Sequence, residues 1–399
     1  MMKRLYLISF VLLFAMSAYA QLPLRPDAFP PVPETTAPKN FRMATDVEEM
    51  LQWNAYPTYP AYLQLMQYYA ESYPHLCHVD TIGLSIENRL ILSLVLHGAS
   101  GPGTGKPQFF YSSTIHGDEL TGFYLMLRLI DTLLCGYGND SLITDLLNDV
   151  DVYVNPLANP DGTYHGGDGT VIDAIRYNSN WVDLNRNYPD PFGSDPLSPV
   201  QPENLAMMEY VEEHDFLLSA NLHGGAEVMN YPWDSFTSDE RPVDCANWWQ
   251  DVCRRFVDTC RLARASAFSD VCGQGYIAGG DWYVIRNGRQ DYMNNLGISE
   301  LTMEVSSVKM LPTSQLEYYW SFQRSSLINY IREIYSLANP PLSVGHLDAP
   351  QEYVVFPNPA SDVVYVRRPD GTLSFDLSGY PSGVHILMID GRPYKVLKL

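Results

Sequence analysis

The 399-residue chain is poor in basic residues, with 25 Lys and Arg against 46 Asp and Glu and a formal charge of −21. That deficit argues against nucleic acid or an anionic membrane surface as partner, and suits attraction of cationic peptides. None of the six cysteines (Cys77, Cys135, Cys245, Cys253, Cys260, Cys272) forms a C-x-x-C pair, which disfavours a thiolate zinc cluster. The H-E-x-x-H zinc signature is missing, and no internal repeat is present. After the first twenty residues no apolar run reaches membrane-spanning length, so no span is expected in a mature chain.

Those twenty residues have the layout of a signal peptide. Lys3 and Arg4 precede the apolar run Leu5 to Met16, and Ala18-Tyr19-Ala20 offers a small-x-small site for cleavage before Gln21. Export is expected, with the protein secreted or at the cell surface after transit through the periplasm. An even cysteine count in an exported chain suggests disulfides. Cys253 and Cys260, however, lie roughly 10 Å apart if their segment is helical, too far to bond to each other; the alternative for some of the six is a buried, reduced thiol. Residues 21–42 carry Pro23, Pro26, Pro30, Pro31, Pro33 and Pro38 and read as an extended leader.

Apolar runs suited to buried strands occur at Leu90–Leu96, Gln108–Ser112, Val150–Val154, Phe216–Leu222 and Ile298–Val305. Helical periodicity marks Ala61–Ala70, Glu119–Leu134, Glu203–Glu213, Asp244–Ala263 and Ser314–Leu337. Alternation of the two predicts an α/β fold: one large domain over residues 43–340, with a mixed, largely parallel central sheet flanked by helices. Residues 341–399 hold a linker and short alternating strands separated by turn signals, a small β appendage.

Four segments carry chemistry. His116-Gly117-Asp118-Glu119 follows an apolar strand and opens a helical run, so His116 and Glu119 could face one metal; equally, Asp118 or Glu119 could stabilise a helix N-terminus. Asn221-Leu222-His223-Gly224-Gly225 ends another strand, and both histidines thus sit where ligands gather in open α/β sheets. Two histidines and a carboxylate form a catalytic zinc set that leaves a position for water. The stretch from Asn159-Pro160-Asp161-Gly162 through Arg176 to Asn185-Arg186 has the composition of an anion-holding loop. Finally, alternation puts Glu300, Thr302 and Glu304 on one face of a strand; one of these carboxylates is a candidate general base, the alternative being a solvent-facing position.

In this order the four segments resemble the zinc metallocarboxypeptidases, above all the regulatory subgroup of carboxypeptidases E, N and D, over roughly Ala44 to Ala338. The resemblance implies one Zn2+ per chain held by His116, Glu119 and His223, with peptide or protein C-termini as substrates. It assigns Glu304 as general base and Arg176 as the group polarising the scissile carbonyl. Asn185 and Arg186 would bind the terminal carboxylate, and Tyr283 would close over the substrate. Asp234 and Gln290 match the acid and glutamine that line the side-chain pocket of the lysine- and arginine-removing members, implying a preference for C-terminal Lys or Arg. Two departures bear on this: Tyr177 replaces an asparagine beside Arg176, and Arg289 replaces a methionine beside Gln290, where an inward-pointing cation would repel a basic side chain. The tail resembles a type IX secretion sorting domain through Phe356-Pro357-Asn358-Pro359, Tyr380-Pro381-Ser382-Gly383 and the basic end at Lys395 and Lys398, which implies contact with export machinery. The alternatives are a carboxypeptidase or amidase acting on modified cell-wall peptides, and a non-catalytic peptide-binding relative.

Overall fold

The computed structural model describes residues 41–338 (104 and 194 apart) and β segments between 354 and 398. The expected signal peptide, the leader up to residue 40 and residues 339–353 lie outside the described residues, as do residues 357–362, 369–370, 380–382, 390–391 and 399 of the tail. Two short strands, β1 (Met43–Ala44) and β2 (Tyr56–Pro57), pair in parallel around α1 (Val47–Met50). Eight further strands follow: β3 (Cys77–Leu84), β4 (Leu90–Leu96), β5 (Gln108–Ser113), β6 (Asp151–Asn155), β7 (Phe216–His223), β8 (Ala226–Tyr231), β9 (Tyr276–Ala278) and β10 (Ser299–Ser306). They form one mixed sheet in the order β3-β4-β6-β5-β7-β10-β8-β9. The centre, β6-β5-β7-β10, is parallel; β3–β4, β4–β6 and β10–β8 are antiparallel.

Between and after the strands lie α2 (Tyr59–Ser72), α3 (Leu120–Gly136), α4 (Ser141–Asp149), α5 (Pro160–Thr163), α6 (Pro202–Glu212), α7 (Ala246–Ala263), α8 (Gly279–Trp282), α9 (Arg289–Asn295), α10 (Leu316–Arg332) and α11 (Ile334–Ala338). The two-residue period of the strands splits the core in two. Phe109 and Tyr111 of β5, with Leu301, Met303 and Val305 of β10, pack against α2, α3, α7 and α10. Phe110 and Tyr153 on the opposite face pack against Met207 and Tyr210 of α6 and Met293 of α9. Helix α3 is buried almost all round, which is why its sequence is apolar on every side.

The strands expected from apolar runs are all present. Missing from the expectation are β3, β8, β9, α4 and α9 and the short elements β1, β2, α1, α5 and α8, and the helix expected over Ser314–Leu337 breaks at Glu333 into α10 and α11. The chain passes from β7 to β8 across the end of β10, which lies between them. Gly225 makes that step possible with φ +115, and its N–H donates to Ser306 O at 2.8 Å. The disulfide expectation is corrected, since all six cysteines are free. Cys77, Cys253 and Cys260 are buried as small apolar groups, Cys260 donating to the Ser326 hydroxyl. The tail forms a three-stranded antiparallel sheet of β11 (Val354–Phe356), β12 (Val363–Arg368) and β13 (Gly371–Asp376), and a hairpin of β14 (Gly383–Ile389) and β15 (Arg392–Lys398). Among the described residues no single helix is long and apolar enough to cross a membrane.

Candidate active site

The parallel strands β5, β7 and β10 end side by side, and each delivers a polar residue at that edge. His116 follows β5, His223 closes β7, and Glu304 of β10 stands in register with His223. Glu119 is the N-cap residue of α3, yet its side chain makes no capping bond. It turns instead to the histidines: Oε1 lies 3.0 Å from His116 Nδ1 and Oε2 2.9 Å from His223 Nδ1. The Gly224 N–H also donates to Oε2, at 3.1 Å. Ligand atoms of His116, Glu119 and His223 all fall within 4.8 Å of one another, and all three residues are buried. Among the described residues no other such cluster of three or more His, Cys, Asp or Glu occurs.

The far side of each imidazole is also held. His116 Nε2 lies 3.1 Å from Asp183 Oδ1, and His223 Nε2 lies 2.9 Å from the Asn221 side-chain amide. The Asn221 amide oxygen has no partner of its own. A half-turn of that amide presents the oxygen to an Nε2 proton, which frees Nδ1 for a metal, as ligating histidines generally require. Two imidazole nitrogens and one carboxylate suit zinc. Burial pushes the His223 pKa down to about 4, which keeps its imidazole neutral. Burial alone would raise the Glu119 carboxyl, but the charges of His116 and Lys309 hold it well below the usual carboxylate range.

Glu304 faces the same cleft. Its Oε2 is buried without a partner, and burial together with the negative charge of Glu119 pushes the carboxyl well above its ordinary value. Arg176 lines the cleft with Nη1 3.2 Å from His116 Nδ1, while its Nε donates to Asp183 Oδ2 at 2.9 Å. Asp183 therefore orients His116 and Arg176 together, and its Oδ1 also accepts from the Asn185 N–H at 2.9 Å. The side-chain oxygen of Asn185 accepts from the Arg289 N–H at 2.9 Å, leaving the amide nitrogen as a donor for the cleft. Arg186 donates to the Asn185 carbonyl at 2.8 Å.

Asp234 also lines the cleft. Asp234 Oδ1 accepts from Gln290 Nε2 at 2.7 Å, and the backbone N–H groups of Asp234 and Ser235 donate to Asp291. Burial and the nearby Asp291 charge push the Asp234 carboxyl well above its usual range, with Arg186 opposing. Asn230, Thr302, Trp282 and Ile285 line the cleft beside Tyr283; the Asn230 side-chain oxygen and Gln290 Oε1 are unpartnered. Tyr283 has its hydroxyl pKa raised by burial and by the charge of Glu304.

Both departures from the family pattern have a structural answer. The Arg289 guanidinium points away from the cleft, fully buried, and donates to Glu300 through Nε at 3.1 Å and Nη2 at 3.0 Å. Glu300 is thus an ion-pair partner inside the fold and does not face solvent. Tyr177 stands half-exposed beside Trp181, and the loop is buttressed one residue later, where buried Asn178 donates to Gln201 and Glu203 and accepts from Val182 N–H. Asp183, Asn230, Asp291 and Lys309 were not anticipated from the sequence. Asp183 alone had a usable signal there, as an acid two residues before Asn185.

The zinc carboxypeptidase family model matches residues 62–326, and the chain belongs to this family. Carboxypeptidase D of Mus musculus is 33% identical over 285 residues, covering 67% of this chain and 20% of that protein. Mouse carboxypeptidase M is 33% identical over 293 residues, covering 67% and 62%. The human carboxypeptidase N catalytic chain is 30% identical over 310 residues, covering 66% and 65%. The chain therefore spans only about a fifth of the length of carboxypeptidase D. Among solved structures, carboxypeptidase A from Helicoverpa armigera superposes with TM-score 0.62 at 19% identity, covering 74% of this chain and 78% of that one. Thrombin-activatable fibrinolysis inhibitor gives 0.60 at 18%, covering 71% and 75%, and the two establish the fold alone.

Proposed function

We propose that the protein is an exported zinc carboxypeptidase that releases single residues from peptide C-termini, preferring Lys and Arg. The observation that carries this is the buried His116–Glu119–His223 cluster, with the unpartnered carboxylate of Glu304 facing the same cleft. His116, Glu119 and His223 would hold zinc, which when bound would supply Lewis acidity to the scissile carbonyl and to a water. Glu304 takes a proton from the water whose oxygen bonds to the carbonyl carbon, and delivers it to the departing amine as the bond from that carbon to nitrogen breaks. Arg176, fixed by Asp183, donates to the oxygen on which negative charge develops. The amide nitrogen of Asn185 and the guanidinium of Arg186 receive the terminal carboxylate, which restricts cleavage to the last residue. Tyr283 covers the substrate from the cleft wall.

Basic selectivity rests on Asp234. A buried carboxylate with unpartnered oxygens around it rewards a cationic side chain and leaves an apolar one facing unsatisfied acceptors. Arg289 is not among the residues lining the cleft, and Glu300 pairs with its charge. The signal-peptide pattern of residues 1–20 supports export, and the tail is inferred to engage the export machinery.

The test is release of the last residue from matched peptides ending in Lys, Arg, Phe, Leu or Glu, by wild type and Glu304→Gln, with and without a chelator. The expected result is chelator-sensitive release of Lys and Arg that the variant lacks. Preference for Phe or Leu would discard the pocket assignment and keep the mechanism. No release from any peptide by the zinc-loaded protein would overturn the activity, and point to modified cell-wall peptides or to binding alone.

A further inference from the structure

Glu119 meets a cation to which the catalytic reading gives no role. Lys309 lies in the loop after β10, 191 residues from Asp118, and is about one-third exposed. Its Nζ donates to Asp118 Oδ1 at 3.1 Å and Oδ2 at 3.0 Å, and lies 3.4 Å from Glu119 Oε1. The backbone of the same residue grips the same turn, since the Leu120 N–H donates to the Lys309 carbonyl at 2.8 Å. On its way the side chain crosses Gly225, where an added Cβ would stand 3.5 Å from Lys309 Cγ. Lys309 thus touches both the segment bearing Glu119 and the glycine two residues beyond His223. An exposed ion pair to Asp118 alone would contribute little. A partly buried ammonium attached through side chain and backbone to the start of α3 is a different object.

We propose that Lys309 is a positioning residue for the metal site. It clamps the Asp118–Glu119 turn so that Glu119 presents its carboxylate toward His116 and His223. It also occupies both oxygens of Asp118, the neighbouring carboxylate, and so keeps that group out of the ligand set. Groups behind a first ligand commonly set metal affinity in this way. The proposal rests on the assignment of Glu119 as a ligand made above.

Zinc dissociation constants from chelator competition test it, with the thermal midpoints of the metal-free proteins measured alongside. Lys309→Met is expected to weaken zinc binding about 10–100-fold while its metal-free form still unfolds cooperatively, at a somewhat lower midpoint, and Lys309→Arg to recover most of the loss. Asp118→Asn, which cuts the ammonium's tighter contacts while sparing the backbone bond, is the second variant should Lys309→Met fail to fold, and is expected to weaken zinc in the same direction. Zinc held as tightly as in wild type, or more tightly, by the folded variant overturns the role of Lys309. Glu119→Ala separates the two levels: zinc retained there removes the ligand assignment itself. Zinc lost there but kept in Lys309→Met removes only the clamp.

Discussion

Asp234 concentrates the question of specificity in one side chain. Its carboxyl is buried, faces the charge of Asp291 and is pushed well above the usual range of about 3.9. Only the ionised form attracts a Lys or Arg side chain, so selectivity should appear as pH rises through that elevated value and vanish below it. The quantity to follow is the ratio of kcat/KM for peptides ending in Lys and in Leu. On the proposed mechanism Glu304 and the metal act on both peptides alike, so their titration cancels in the ratio. In wild type the ratio is expected to fall on acidification at a pH above the ordinary aspartate midpoint. Asp234→Asn should flatten that dependence and lower the ratio at neutral pH roughly 10–100-fold, the worth of a charged hydrogen bond of about 1.5–3 kcal/mol. A ratio that stays high and pH-dependent in the variant would place the cation elsewhere in the cleft.

Elements position these residues through contacts that leave little slack. Gly117, between His116 and Asp118, sits against α5: an added Cβ would lie 2.3 Å from Gly162 C and 2.5 Å from Thr163 N. Both are backbone atoms, and α5 is itself pinned by the Asn159 side chain accepting from the Gly162 N–H at 2.9 Å. Gly117→Ala should therefore displace the turn. The expected cost is about 1–3 kcal/mol of stability, together with at least a tenfold loss of zinc affinity, read by melting and by chelator competition. The same tightness explains what was legible beforehand. Strands β5, β7 and β10 announced themselves because both faces are covered and their sequences are apolar runs, and the residues at their ends could be ordered along the chain. Strand β8 gave no such run: Glu227 is buried in it against Arg264 and the Phe268 N–H, a solution visible only in three dimensions. Helix α9 is seven residues long and buries Arg289, Gln290 and Asp291, a polar stretch that reads as a loop until Glu300, Asp234 and Ser235 are found opposite. Lys309 was hidden for the same reason, its partner being 191 residues away.

At the scale of the whole molecule the excess of 46 acidic over 25 basic residues acts at a distance that no single contact covers. A surface of one sign raises the local concentration of oppositely charged substrates, an effect that salt screens. The screening length shrinks from about 30 Å at 0.01 M salt to about 8 Å at 0.15 M. Peptides sharing a C-terminal Lys but carrying upstream residues of net positive or net negative charge isolate this effect, because the proposed pocket at Asp234 would see the same side chain in each. Raising salt over that range should lower kcat/KM several-fold for the cationic peptide and leave it level or raise it for the anionic one. Asp234→Asn should keep this salt dependence while losing the preference for Lys, since a buried pair is screened far less than the surface field. If the variant loses both together, the attraction arises in the pocket and the acidic surface serves solubility alone. If the salt dependence survives, the molecule selects basic substrates twice, first by its field and then by the Asp234 carboxylate in the cleft.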